Sequence, residues 1–277
     1  MRTVTSACEL DETGKLYQIF NRHKPVYNHA MWRGLFSLAG AAVAACAAGY
    51  QTMSPTGQWY GRTFTGLPVG SRQLALTYDD GPNDPHTLHL LDVLARHNVR
   101  ATFFLIGRFV AQRPDIVREL AKAGHAIGNH TFSHPNLIFA SKERTKRELR
   151  ECDQALTDAI GESSSLLFRP PFGGRRPATL RVARSSGFEP IMWRVTGYDW
   201  RGRAAEYIQR KVQAQLRGGD IILLHDGSHL RFGADRSQTV IATDRLILWS
   251  KSQGYEFETV PEMMGAVQTS KLPVAIR

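Results

Sequence analysis

Leu74-Ala75-Leu76-Thr77-Tyr78-Asp79-Asp80-Gly81-Pro82 is the stretch that decides how this chain folds. Leu74, Leu76 and Tyr78 alternate with Ala75 and Thr77, the period of a strand, and Gly81-Pro82 ends it in a turn. Two adjacent carboxylates, Asp79 and Asp80, therefore stand at a strand's C-terminal end. Successive side chains on a strand point opposite ways, so the pair can divide its work, one carboxylate binding a metal and the other handling a proton. The alternative is an ordinary turn, since Asp-Gly is common hairpin punctuation.

Beyond Pro82 the apolar pattern changes period repeatedly. Asp84 is placed to cap a helix whose apolar face holds Leu88, Leu91 and Leu94 and which ends at His97-Asn98. Residues 101–106, ATFFLI, read as a buried strand closed by Gly107, and a helix follows from about Phe109 to Ala123 with Gly124 as its stop. Further strands are expected at 126–131, 166–169, 190–195, 220–225 and 256–260, and helices at 143–160, 177–185, 204–216 and 239–250. Seven strands with six intervening helices predict an α/β fold with a parallel sheet, closed or nearly closed into a barrel. An open doubly wound sheet is the alternative, but the first turn lacks Gly-x-Gly-x-x-Gly, which disfavours a dinucleotide site. In such barrels the site lies at the C-terminal ends of the strands, where distant clusters converge.

At 277 residues and 42% hydrophobic content the chain can bury one large core. Its net charge of +10 invites a nucleic-acid reading. No Lys/Arg run interleaved with aromatics and no zinc-finger spacing supports one, so no nucleic-acid partner is expected. Arg169, Arg175, Arg176, Arg181, Arg184, Arg201 and Arg203 read as a general basic surface, either merely solvated or suited to acidic envelope polymers. Three cysteines, Cys8, Cys46 and Cys152, make no disulfide framework. Cys152 shares a helical face with Leu149, Leu156 and Ile160 and reads as a small core hydrophobe.

Residues 35–49 are uncharged, rich in Ala, Leu and Val, and preceded by Arg33, the shape of a signal peptide's apolar region. At about 15 residues the run is short for a membrane span, which needs about 20. Met31 offers an alternative start, and Val43-Ala44-Ala45-Cys46 matches a lipobox in which Cys46 would carry a lipid. Cleavage after the small residues 45–49, an uncleaved anchor and a buried Ala-rich helix are the other readings. The expectation is export to the cell envelope or beyond, with membrane contact only through this segment or the Cys46 lipid. The domain plan that follows is a lead and signal or anchor segment at 1–50, a linker at 51–70, a catalytic domain at 71–265 and a tail at 266–277.

The polar clusters fall at strand ends. His130 and His134 are four apart in Gly-Asn-His-Thr-Phe-Ser-His-Pro, a spacing that lets two imidazoles share a metal. Pro135 disfavours a helical His134, so an irregular loop is expected, and two solvent-facing histidines are the alternative. With Asp80 they make two nitrogens and one carboxylate with open positions left, the ligand set of a hydrolytic zinc-type site. Arg169, in Phe-Arg-Pro-Pro-Phe-Gly, can pair with a carboxylate such as Asp79, or stand on the surface of a Pro-rich turn. His225, closing Ile-Leu-Leu-His, can protonate a leaving amine with Asp199 as its orienter, or be a satisfied structural histidine.

From about Leu74 to His225 these clusters resemble, in order, the five motifs of the polysaccharide deacetylases of carbohydrate esterase family four. The resemblance implies a distorted (β/α) barrel. It makes Asp79, in TYDDGP, the catalytic base and Asp80 a metal ligand, although that motif usually has Phe where this chain has Tyr78. HTFSH supplies His130 and His134 as the other ligands. RPPFG gives Arg169 to orient the base and the backbone near Phe172 to hold the oxyanion. YDW gives Asp199 to tune the catalytic histidine and Trp200 to line the pocket, and LLH gives His225 as general acid and Leu223 packing on the acetyl methyl. The fourth motif often has an earlier Asp where Thr196 stands. The implied reaction is metal-assisted removal of N-acetyl groups from amino sugars of peptidoglycan, chitin or an exopolysaccharide. Zinc is the default divalent metal, and cobalt or nickel would suit the same donors. An O-acetyl esterase on xylan-like polymer, a non-sugar amidohydrolase and a non-catalytic envelope binder are the rival readings.

Overall fold

The structure, a computed structural model, describes residues 8–10, 12–14, 16–18, 29–161 and 166–269. It divides into two compact units, Met1–Ala47 and Ala48–Arg277. In the first, β1 (Cys8–Leu10) pairs antiparallel with β2 (Leu16–Gln18), and helix α1 (His29–Met53) begins. The apolar stretch 35–49 lies within α1, with the Cys46 thiol exposed. No helix among the described residues is long and apolar enough to cross a membrane.

The second unit carries β3 (Gln73–Asp79), β4 (Thr102–Leu105), β5 (Ala126–Asn129), β6 (Leu167–Phe168), β7 (Glu189–Pro190), β8 (Val195–Thr196), β9 (Ile221–His225) and β10 (Glu256–Phe257). They form one parallel sheet in the order β7-β6-β5-β4-β3-β9-β8, with β10 also on β3. Around it run α2 (His86–Arg96), α3 (Gly107–Gln112), α4 (Pro114–Lys122), α5 (Lys142–Ile160), α6 (Pro177–Ser185), α7 (Ala205–Gln213), α8 (Ser237–Ser252) and α9 (Val260–Thr269). Leu74, Leu76 and Tyr78 of β3 are fully buried in the main apolar core with Leu90 and Leu94 of α2, Phe103 and Leu105 of β4, and Leu246 of α8. Each such side chain contributes about 1.5–3 kcal/mol by leaving water. The Tyr78 hydroxyl is satisfied by a 2.9 Å hydrogen bond shared with Thr243, so tyrosine fits where phenylalanine is usual.

The residues expected to form one strand at 190–195 instead form two, and these are the opposite edges of the sheet. A flat sheet of seven strands would hold its edges about 29 Å apart, whereas the five-residue step from Pro190 to Val195 reaches at most about 18 Å. The sheet has to curl. It does so as a distorted (β/α) barrel, and the seam is filled from the segment expected to be a linker. Phe64 bridges Ile191, Gly66 bridges Asp220, and Leu67 is buried in a second apolar cluster with Ile191 and Ile221. Residues 51–69 are thus a packed part of the barrel rather than a spacer.

Three local expectations are also corrected. The helix expected over 109–123 is two helices, α3 and α4, because Pro114 lacks an N–H and pushes Arg113 out of helical conformation (φ −135°, ψ 62°). Asp84 does not cap α2; Pro85 takes that position, and Asp84 accepts a hydrogen bond from Arg113 instead. Thr87, Leu90, Val93 and Leu94 form the buried face of α2, with Leu88 and Leu91 half-buried at its margins. Cys152 is buried in the core as expected. The expected tail begins inside α9, and 270–277 lie outside the described residues.

Two arginines read as basic surface, Arg169 and Arg175, are among the largest fully buried side chains. Arg175 donates to the carbonyls of Ser54 (2.7 Å), Gly57 (2.6 Å) and Gly173 (3.2 Å), and its N–H bonds the Thr52 carbonyl. It fastens residues 52–57 to the loop after β6. Charge-assisted hydrogen bonds contribute about 1.5–3 kcal/mol each, and cooperative loss of three is partly offset by water, so Arg175→Ala is expected to cost about 3 kcal/mol. Urea unfolding checks this; an unchanged midpoint would mean that residues 52–57 are not held through Arg175.

Candidate active site

Register explains why the clusters meet. Asp79, last in β3, is paired with His225, last in β9, and with Phe104 of β4. His130 follows β5 and Arg169 follows β6, so parallel pairing delivers all of these to one end of the barrel. A cleft of about 420 Å³ opens there, lined by Asp79, Asp80, His130, His134, Phe172, Trp200, Leu223 and His225 among others. Of the ten residues expected to carry function, these eight face one space, and Arg169 and Asp199 sit directly behind Asp79 and His225.

Strand alternation would send Asp79 and Asp80 to opposite faces. Both nevertheless line the cleft, because Asp80 leaves the strand in the left-handed region (φ 75°) and turns its carboxylate back. Gly81 makes that turn possible: a Cβ there would lie 2.0 Å from Asp226 Oδ2. Thr131, His134, Phe172 and Tyr198, also non-glycine, have positive φ as well. The loop carrying His130 and His134 is irregular, as Pro135 predicts. It is held by Asn129, whose Oδ1 accepts the Thr131 N–H (2.8 Å), and by Glu148 of α5, which accepts the Ser133 N–H (2.8 Å) and hydroxyl (2.7 Å).

Asp80 Oδ1 lies 3.6 Å from His130 Nε2 and 3.2 Å from His134 Nε2. Donor atoms sharing one tetrahedral ion at about 2.0–2.2 Å stand roughly 3.4 Å apart, so this spacing fits a divalent metal. Asp80 Oδ1 is buried without a hydrogen-bond partner, which is costly unless a cation takes it. Burial pushes the Asp80 carboxyl upward, but His130, His134 and His229 overcome this and hold it well below the usual carboxylate range. Burial drives the His134 imidazole down to about 4, against the pull of Asp80, so it is neutral and able to ligate. His130 donates Nδ1–H to the Arg169 carbonyl (2.8 Å), which leaves Nε2 for the metal.

Asp79 lies beside this triad. Its Oδ1 accepts from Arg169 Nη1 at 2.7 Å, and Oδ2 stands 3.8 Å from His130 Nε2. Across the cleft His225 Nδ1 bonds Asp199 Oδ1 (2.9 Å), while Asp199 Oδ2 accepts the His225 N–H (2.7 Å) and the Thr239 hydroxyl (2.9 Å). Burial alone would lower the His225 imidazole; Asp199, with Asp80 and Asp79 beyond, raises it to about 9. His225 therefore carries a proton at neutral pH. Trp200 packs edge-on against it at 5.2 Å and, like Phe172, is partly exposed, while Leu223 is buried beneath. Thr196 does not line the cleft; its carbonyl accepts from Gln215 Nε2 (2.8 Å).

Sequence reasoning missed Trp193 and His229. Trp193 lines the cleft under Gly173, where a Cβ would come within 2.7 Å of its ring and φ is +67°, so only glycine fits. His229 stacks on His134, and its signal was in the chain: His225 and His229 repeat the four-residue spacing of His130 and His134.

A parallel barrel whose strand ends bring an arginine-paired carboxylate, a protonated histidine and an Asp-His-His cluster spaced for a metal into one cleft has the layout of a metal-dependent hydrolase. Comparison with known proteins narrows this. The polysaccharide deacetylase family profile matches residues 67–191. A peptidoglycan-N-acetylglucosamine deacetylase of Bacillus cereus is 36% identical over 214 residues, covering 76% of this chain and 74% of that protein. A chitooligosaccharide deacetylase of Sinorhizobium fredii is 36% identical over 208 residues, 73% of this chain and 97% of that one. A crystal structure of a peptidoglycan N-acetylglucosamine deacetylase superposes with a TM-score of 0.67 at 35% identity, covering 73% of this chain and 91% of that chain. The chain belongs to the polysaccharide deacetylase family.

Because the His225 proton is held by Asp199, a reaction that uses it as an acid runs below about pH 9 and fails as pH rises through that value. Asp199→Asn is expected to draw the alkaline limb of kcat down by about one to two pH units. A pH–rate profile with the limb unmoved would show that Asp199 does not set this proton.

Proposed function

We propose that this protein removes N-acetyl groups from the amino sugars of a cell-envelope or extracellular polysaccharide, with zinc as its metal. One observation carries the reading: base, acid and an Asp-His-His triad with an orphaned carboxylate oxygen share a single cleft. The relatives named for peptidoglycan N-acetylglucosamine and chitooligosaccharide support the substrate class. Asp80, His130 and His134 would hold the metal, which would supply Lewis acidity toward water and the acetyl carbonyl.

The protein's own groups do the rest. Asp79, aimed by Arg169, takes the proton of the attacking water. The backbone at Phe172 is our assignment for a donor to the developing oxyanion. His225 gives its proton to the departing nitrogen, yielding acetate and a free amine, and is refilled from solvent through the open cleft. Leu223 forms the apolar floor against the acetyl methyl, and Phe172 and Trp200 form the exposed flanks on which sugar rings stack. An amine leaving group needs an acid that still carries its proton at neutral pH, and Asp199 keeps His225 in that state; an O-acetyl ester would need it less. We further propose that the protein is exported, as the uncharged stretch 35–49 behind Arg33 suggests.

Acetate release from chitooligosaccharides and from peptidoglycan, measured before chelation, after it and after zinc return, tests the activity. Loss on chelation and recovery with zinc are expected; release only from acetylated xylan would move the assignment to ester hydrolysis. Asp79→Asn is expected to bind zinc normally while turnover falls about 10²–10⁴-fold. His130→Ala is expected to lose both. An active His130→Ala protein would overturn the ligand assignment.

A further inference from the structure

The two ligand histidines are held in different ways. His130 is fixed by the hydrogen bond from Nδ1 to the Arg169 carbonyl, the usual device for orienting a metal-bound imidazole. His134 has no such bond: its Nδ1 is buried and without a hydrogen-bond partner. What surrounds it is aromatic. The His229 ring lies face to face on it, 4.5 Å between centroids at 16°, and Phe172 meets it edge-on at 4.6 Å. His229 and Phe172 also touch each other at 5.0 Å, closing a triangle of rings.

His229 is itself well fastened. The loop between β9 and α8 is pinned where Arg108 donates to the His229 carbonyl and where Asn83 accepts the Gly233 N–H (2.8 Å) and donates to the Ala234 carbonyl (2.9 Å). Phe232 of the same loop rests on Phe109 of α3 at 5.8 Å. The His229 N–H donates to Asp80 Oδ2 at 3.2 Å, which leaves Oδ1 as that carboxylate's free oxygen. The His229 side-chain Nδ1 stands 3.7 Å from Oδ2, outside hydrogen-bond range.

We infer that His229 is a positioning residue of the metal centre, whose stacked ring orients His134 in place of the missing hydrogen bond while its backbone N–H orients Asp80. This rests on the metal reading of Asp80, His130 and His134. The stacked ring, rather than a hydrogen bond from its nitrogens, is what orients His134. Removing an outer partner of a metal ligand weakens binding by about 10–100-fold.

The test is zinc affinity by competition with a chromogenic chelator, using the full chain and its variants, each shown by thermal melting in chelator to be folded. His229→Ala is expected to bind zinc about 10–100-fold more weakly. His229→Phe keeps the ring and the backbone donor and is expected to bind within about threefold of the unaltered protein. His134→Ala, which removes a ligand, marks the floor of the assay. Two results overturn the inference: His229→Phe as weak as His229→Ala, which makes a nitrogen the working group and His229 a ligand, or His229→Ala binding as tightly as the unaltered protein. Failure of the unaltered protein to bind zinc more tightly than His134→Ala would instead remove the metal reading underneath.

Discussion

One buried guanidinium joins the two halves of this site. Arg169 is fully buried, and its Nη1 donates to Asp79 and to the Thr77 hydroxyl (2.8 Å), while its backbone carbonyl accepts from the ligand His130. Its Cζ lies 4.0 Å from the Phe104 ring centroid. Burial pushes the guanidinium pKa down, and Asp79 opposes that. Leaving such a charge unpaired costs about 3–5 kcal/mol, so neither Arg169 nor Asp79 has an inexpensive alternative position. Asp79 and His130, the proposed base and a proposed metal ligand, are thereby set by the same residue, one through its side chain and one through its main chain. The placement of Asp79 relative to His130 therefore follows from one residue.

The curl of the sheet decides a different matter, namely whether the loops after β6 and β8 open on one cleft. Asp199 follows β8, one edge of the sheet, and Arg169 follows β6, which neighbours the other edge. Only because a short step from β7 to β8 forces the sheet to curl, with residues 64–67 filling the seam, do Phe172 and Trp200, which follow β6 and β8, line the same cleft.

Much of this was readable in the chain. Alternation in LALTYDD, the buried run ATFFLI and the polar residues ending each apolar run give the parallel barrel, and the ten candidate site residues converge or stand directly behind those that do. The misreadings share a cause: each turns on a tertiary partner. An arginine's burial at 169 or 175 depends on a carboxylate 90 positions away and carbonyls up to 121 positions away, invisible to local composition. The packing of 51–69 likewise depends on a seam between strands distant in sequence. The break at 190–195 has no sign in an apolar run, since a strand and a crossing between two sheet edges demand the same buried residues. His229 was overlooked although its spacing from His225 was visible, because periodicity does not say which of two histidine pairs is the metal pair.

The left-handed residues around the cleft have a thermodynamic consequence. Asp80, Thr131, His134, Phe172 and Tyr198 account for five of the six described non-glycine residues with positive φ, Asn98 being the other. Each such conformation costs about 1–2 kcal/mol, so the rim of the cleft works against folding and the apolar core beneath it supplies the difference. Glycine at Thr131 or Tyr198 would relax the backbone and give up the shape of the turn. A lineage selected for heat resistance alone would drift toward that exchange. One selected for activity keeps the strained turns and must hold its stability elsewhere, chiefly in the core around β3 and its helices.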